Sequence, residues 1–262
     1  MTSDVSMERY PRIDEGSGTP VLFLHGIFGS PENWGETAEQ LVGKYRMIRL
    51  EFPIFSTAPR KCNVNTLTTY VEQFLQESDM EPPVVVGNSL GGHVALDLAL
   101  RRPDLVRALT LTGSSGLFER GFEKGVPRHP DRDWIADRLG HSIFYDPGKL
   151  TDEMVDEAMD VLESRENRLR LIRIAASAKR SNLAEELHQV SVPTLLVWGR
   201  QDRVTPLEVA EQFEDSIPRA RLVLVDECGH APMLEQPRAF TMALEEFLGD
   251  LERVPEDEMM VP

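Results

Sequence analysis

Cysteine is scarce in this chain: two residues, Cys62 and Cys228, lie far apart in sequence. That pair makes no disulfide framework and fits a reducing cytoplasm. Long apolar runs are missing as well, and none reaches the ~18 residues needed to cross a bilayer. The opening stretch, Met1 to Tyr10, carries neither a basic segment nor an apolar one, so no signal peptide is expected. Positive charge is outnumbered, 28 Lys and Arg against 44 Asp and Glu, for a formal net charge of -16. That balance speaks against nucleic acid and anionic membrane surfaces as partners, because both demand a positive footprint; no membrane partner is expected. A small molecule is the expected partner, and the oligomeric state is left open. Solubility and a high-salt habitat both account for the acidic excess. The tail from Glu252 to Pro262 reads as frayed.

What is present suits a single globular core. The chain has 262 residues, 41% hydrophobic and 27% charged, enough for one domain with an insertion. Short apolar runs read as buried strands at Pro20–Leu24, Tyr45–Leu50, Pro83–Gly87, Val106–Leu111, Thr194–Trp198 and Arg221–Val225. Helical apolar spacing separates them at Trp34–Val42, Leu67–Leu75, Val94–Leu100, Leu207–Phe213 and Arg238–Leu248. This alternation implies βαβ units: a doubly wound α/β fold, its mainly parallel sheet covered by helices on both faces. The rhythm breaks after the fourth recognisable strand. A loop rich in Gly, Pro and charge (Arg120 to Asp133) leads into helical patterns at Asp152–Leu162, Arg168–Ala178 and Asn182–Leu187, with Thr151 as an N-cap. The expected division is a core of residues 1–116 and 191–262 with an all-helical cap, 117–190, over the carboxyl edge of the sheet, where open α/β sheets bind ligands.

One motif carries chemistry on its own. Gly87-Asn88-Ser89-Leu90-Gly91 is G-x-S-x-G, set directly after a strand and directly before a helix. A turn this sharp strains the serine backbone, and small flanking residues let helix and strand pack. The turn presents the Ser89 hydroxyl at the sheet edge and aims the Leu90 N–H at a developing oxyanion. Serine at this point, rather than aspartate, argues against alkyl-enzyme chemistry.

Together with Leu24-His25-Gly26-Ile27-Phe28-Gly29, Trp198-Gly199-Arg200-Gln201-Asp202 with Pro206, and Gly229-His230-Ala231-Pro232, this motif resembles the α/β-hydrolase superfamily over nearly the whole chain. The resemblance implies a nucleophile, acid and base in the order Ser89, Asp202, His230, with no metal and no organic cofactor. Glu119 and Asp226 are rival acids. The loop at His25-Gly26 implies Ile27 as the second oxyanion donor, with His25 bracing the turn. Phe28, Asn88 and Phe55 are the expected substrate contacts. Where many relatives carry a small acidic Pro-Gly-x-Gly loop, this chain has Phe52, Ile54 and Phe55, which either line the pocket or pack beneath the cap. The short lead before Pro20 leaves room for one strand. Cys228 reads as a packed thiol.

The reaction implied is hydrolysis of an ester or related acyl bond of a small to medium, partly hydrophobic substrate through an acyl-enzyme. Gly-Asn-Ser-x-Gly-Gly is also similar to the elbow of carbon–carbon-bond hydrolases of the meta-cleavage type, although those follow the histidine with an aromatic residue and here Ala231 and Pro232 follow. The stretch Leu24–Trp34 is similar to a lyase of the same fold, which has an arginine where this chain has His93. A non-catalytic ligand binder is the third reading.

Overall fold

The structure is a computed structural model that describes residues 8–118 and 130–253. Glu119, His129 and most of the Arg120–Asp133 loop lie outside the described residues, as do the chain ends.

Seven strands form one sheet: β1 (Arg12–Glu15), β2 (Pro20–Leu24), β3 (Arg46–Leu50), β4 (Val84–Asn88), β5 (Ala108–Thr112), β6 (Thr194–Gly199) and β7 (Ala220–Val225). Their order is β1-β3-β2-β4-β5-β6-β7. Only β1 runs antiparallel, paired with β3, and it fills the single strand's worth of room before Pro20.

Side chains alternate across a strand with a period of two, so each strand feeds two cores. Leu22, Leu24, Ile48, Val85, Leu109 and Trp198 pack on one face, against α2 (Val64–Glu77), α3 (Leu90–Arg101) and α7 (Leu207–Ser216). Val21, Phe23, Met47, Val86 and Val197 pack on the other, against α1 (Gly35–Leu41) and α9 (Pro237–Arg253). Burial on both faces is why the strands read as unbroken apolar runs rather than alternating ones. The expected doubly wound α/β sheet is what forms.

Between β5 and β6 come α4 (Arg132–Ile143), α5 (Asp152–Glu163) and α6 (Arg165–Arg180). They share a small core of Ile135, Leu139, Val155 and Ala158. Thr151 caps α5 as expected, accepting from the Met154 N–H at 3.3 Å. Two details differ from the sequence reading. Helix α4 was hidden behind its charged surface positions; Asp131 caps it, accepting from the Trp134 N–H at 2.8 Å. The segment 182–187 is not a helix, because the Asn182 side chain accepts from the Ala184 N–H at 2.8 Å and so favours a turn. Helix α6 seats the insert on the core through Arg170 Nε to the Thr57 carbonyl (2.7 Å) and the Val64 N–H to Ser177 Oγ (3.2 Å). Among the described residues no helix is long and apolar enough to cross a membrane.

Candidate active site

Strand β4 ends and α3 begins at Ser89, whose φ of 53° and ψ of -116° lie in a region that side chains disfavour. The backbone is held there by the Ser89 N–H to the Thr112 carbonyl and by the Ser115 N–H to the Ser89 carbonyl, both 3.1 Å. The flanking glycines are explained by what a Cβ would strike. At Gly87 it would lie 2.5 Å from the Gly91 carbonyl oxygen; at Gly91 it would collide with the Leu24 carbonyl. Helix α3 therefore approaches β4 and β2 closely enough only without those side chains.

Asp202 follows β6 and His230 follows β7, and their loops touch. A Cβ at Gly199 would run into the backbone of Cys228 and Gly229. The Gln201 N–H donates to the Cys228 carbonyl at 3.0 Å, and the Cys228 N–H returns a bond to Gln201 Oε1 at 3.1 Å. This contact sets Asp202 Oδ2 at 2.8 Å from His230 Nδ1. The aspartate side chain is fully enclosed, yet every carboxylate direction is used. Oδ1 accepts from the Val204 and Thr205 N–H groups at 2.8 and 2.9 Å, and Oδ2 accepts from Thr205 Oγ1 at 2.9 Å as well as from His230. Four donors on one carboxylate fix its orientation toward the histidine.

A cavity of about 1150 Å³ opens between the sheet edge and the inserted helices, and Ser89 and His230 both line it. Ile27 and Leu90 line it too, and their N–H groups find no acceptor among the described residues. Gly26 sits beside them: a Cβ there would be 3.5 Å from Ser89 Cβ.

The model of the alpha/beta hydrolase family matches residues 21–243. The chain belongs to this family. It is a hydrolase. It is 29% identical to the 2-hydroxy-6-oxononadienedioate/2-hydroxy-6-oxononatrienedioate hydrolase of Cupriavidus pinatubonensis, covering 90% of this chain and 89% of that one. It is 30% identical to the pimeloyl-[acyl-carrier protein] methyl ester esterase of Nitrosomonas europaea, covering 86% and 94%. Among solved structures it is similar to MGS-MChE2, an alpha/beta hydrolase enzyme from a sediment metagenome of the Mar Chica lagoon, at TM-score 0.76 and 32% identity over 93% and 96% of the two chains.

The other expected site residues of this hydrolase fall in different places. Phe28 and Asn88 line the cavity, but the Asn88 amide is spent on the Thr112 and His230 carbonyls (3.0 and 3.1 Å) and so ties the elbow to the histidine loop. Phe55 is a correction: it is an exposed side chain and does not line the cavity. The turn closed by the Thr57 N–H to the Pro53 carbonyl sends Phe52 and Ile54 into the core and Phe55 outward. Asp226 pairs with Arg200 at 2.5 Å on the surface. Both cysteines are free and buried, and burial pushes the Cys228 thiol up.

Two residues that sequence reading missed support the histidine. Thr205 holds Asp202, as above. Glu235, nearly inaccessible in α8 (Pro232–Glu235), accepts from the Gly229 N–H at 2.6 Å and from the Asp146 N–H at 2.7 Å. With the His230 N–H to the Ile143 carbonyl (2.6 Å), it binds the insert to the histidine loop. Neither has a motif; each is found by its partners alone.

His25 braces the neighbouring loop. Its Nδ1 meets the Gly26 carbonyl at 2.8 Å and Nε2 accepts the Phe52 N–H at 3.0 Å, which requires the neutral ring with the proton on Nδ1. Burial lowers its pKa from 6.5 to about 4. Above 6.5 the ring is neutral folded and unfolded; between 6.5 and 4 only the unfolded chain takes the proton. Stability is therefore expected to fall as pH drops through that window, by up to about 1.4 kcal/mol per pH unit. Urea midpoints measured across it check this, and a profile no shallower in His25→Asn would remove His25 as the cause.

Proposed function

We propose that this hydrolase cleaves an ester or related acyl bond with Ser89 as nucleophile, His230 as general base and Asp202 as orienting acid. The carrying observation is the Asp202–His230 pair. With Nδ1–H held by a carboxylate at 2.8 Å, Nε2 is left as the acceptor, on a ring that shares one cavity wall with the strained Ser89. Ser89 Oγ attacks the carbonyl carbon as His230 Nε2 takes its proton. The tetrahedral oxygen takes up negative charge and is met by the N–H groups of Ile27 and Leu90. The carbonyl re-forms as the alcohol leaves with the proton from His230, and water repeats the sequence to release the acid. The inserted helices act as the cap that selects a small-molecule substrate, and a reducing cytoplasm suits two free buried thiols.

A second reading, hydrolysis of a carbon–carbon bond in a ring-fission dienone, draws on the name of the Cupriavidus relative, as the first draws on that of the Nitrosomonas relative. Ester chemistry is preferred because Ala231 and Pro232 follow His230, where the carbon–carbon-bond hydrolases it resembles carry an aromatic residue. The test is a panel of p-nitrophenyl esters of graded chain length, at low and high salt, beside ring-fission dienones. Turnover of esters with inert dienones is expected. Turnover of dienones alone selects the second reading, and failure of a fluorophosphonate to label Ser89 leaves a non-catalytic binder.

A further inference from the structure

The cavity reverses the charge of the protein around it. Acidic residues outnumber basic ones 44 to 28 in the sequence, yet among the described residues the cavity lining holds four arginines and a single carboxylate, Glu157. Arg203 is accounted for, because its Nη1 donates to the His141 carbonyl at 2.8 Å. The other three, Arg138 on α4 with Arg165 and Arg168 on α6, have no carboxylate within 4.0 Å among the described residues. Their neighbours show the contrast. Arg132 on α4 pairs with Asp152 and Asp156, and Arg170 on α6 pairs with Glu166 at 2.6 Å. Solvent-facing arginines such as Arg60, Arg173 and Arg180 also lack carboxylates within 4.0 Å among the described residues; what sets Arg138, Arg165 and Arg168 apart is that they converge on one cavity.

Each is nevertheless positioned. Arg138 lies over the Trp134 ring, 5.6 Å from its centroid, a stacking that fixes the guanidinium plane and leaves its edge donors open. Arg168 Nη1 donates to the carbonyls of Leu162 and Glu163 at the end of α5, leaving Nε and Nη2 unengaged there. Arg165 stands one turn before it on the same helix, at the spacing that puts two side chains on one face. The intervening wall is apolar, with Leu139, Met154 and Leu162. Arg138 and Arg168 are half-buried and Arg165 is exposed; for the two half-buried guanidinium groups a missing counter-charge is costly unless a ligand supplies one.

We propose that this wall is an anion site: the substrate carries, remote from the scissile bond, a carboxylate or phosphate that Arg138, Arg165 and Arg168 bind, while its apolar middle lies along the wall between them and Ser89. This rests on the hydrolytic reading above. It names the substrate class as an acyl ester with an anionic far end. Guanidinium donors meet planar or tetrahedral oxyanions through paired hydrogen bonds, and a positive wall in a low-dielectric cleft concentrates such a ligand despite the negative exterior.

The test is a ratio, so that a general loss of folding or chemistry cancels. The kcat/KM of the p-nitrophenyl monoester of suberic acid is divided by that of p-nitrophenyl octanoate, of equal chain length, and a phosphonate-ended ester replaces the suberyl ester in a second arm. The wild-type ratio is expected to exceed about tenfold, the scale of one charge-assisted hydrogen-bond set, and to shrink as salt rises. The double variant Arg165→Gln/Arg168→Gln is expected to bring it toward unity, chiefly through KM. Whichever arm gives the larger ratio identifies carboxylate or phosphate. A wild-type ratio at or below unity in both arms, or one the double variant retains, overturns the proposal. Should the variant fail to fold, competition on the wild type decides: suberate is expected to inhibit octanoate hydrolysis more strongly than the diol of equal length, and equal inhibition overturns the site. Titration of Ser89→Ala with suberate separates the two readings. Salt-sensitive binding without any turnover of esters would uphold the anion site and reject the hydrolytic reading; ester turnover without such binding would do the reverse.

Discussion

Ser89→Ala is expected to abolish fluorophosphonate labelling and to lower ester turnover by about a million-fold, the loss seen when a nucleophile that works as one unit with its base is removed. The fold is expected to be unaffected. Alanine keeps the Cβ, so the strained turn at φ 53° is neither relieved nor worsened, and the backbone bonds from Ser89 N–H to Thr112 and from Ser115 N–H to Ser89 do not involve the hydroxyl. An unchanged melting temperature with labelling lost is the expected pair of measurements. Labelling that persists at another residue would move the nucleophile away from the elbow. Residual hydrolysis above water is expected, because the Ile27 and Leu90 N–H groups belong to the backbone and survive the change.

Asp202→Asn is expected to lower kcat by on the order of ten-thousand-fold while substrate binding changes little. The reason lies in which oxygen is replaced. Oδ1 accepts from two N–H groups, those of Val204 and Thr205, so an amide nitrogen placed there would face two donors. The amide nitrogen is therefore forced to the Oδ2 position, against His230 Nδ1. There it donates to Nδ1, the ring proton moves to Nε2, and the histidine presents a donor to Ser89 where an acceptor is needed. Thr205 Oγ1, which donates to Oδ2 at 2.9 Å, has to reorient as well. Steady-state rates on one ester, with the pH profile, check this. An unaffected rate would return attention to the rival carboxylates, of which Asp226 is turned to solvent and held by Arg200.

The serine turn could be read from the chain because its signal is local, and the resemblance pointed to Asp202 and His230, whose side chains meet at 2.8 Å. A buried strand is a short apolar run, and Gly87 and Gly91 sit at fixed offsets from Ser89 because the clashes they avoid are with backbone a few residues away or directly alongside. The expected doubly wound sheet follows in the same way, from apolar runs and turn residues. Helix α4 escaped because its apolar positions, Ile135 and Leu139, bury only against α5, and the charged residues between them set the pattern. Phe55 was misplaced because an apolar residue in a loop does not announce which way a turn will point it.

The sequence by itself determined the strand–helix alternation and the serine turn, since each depends on neighbours a few positions away. Tertiary structure alone decided the rest. Four donors surround the Asp202 carboxylate, Glu235 couples the insert to the histidine loop, and three arginines without carboxylate partners among the described residues face one cavity of an acidic protein. Hydrogen bonds and charge pairs act over a few ångströms in space, and residues far apart in the chain meet at that range only once the sheet and its inserted helices have closed on each other.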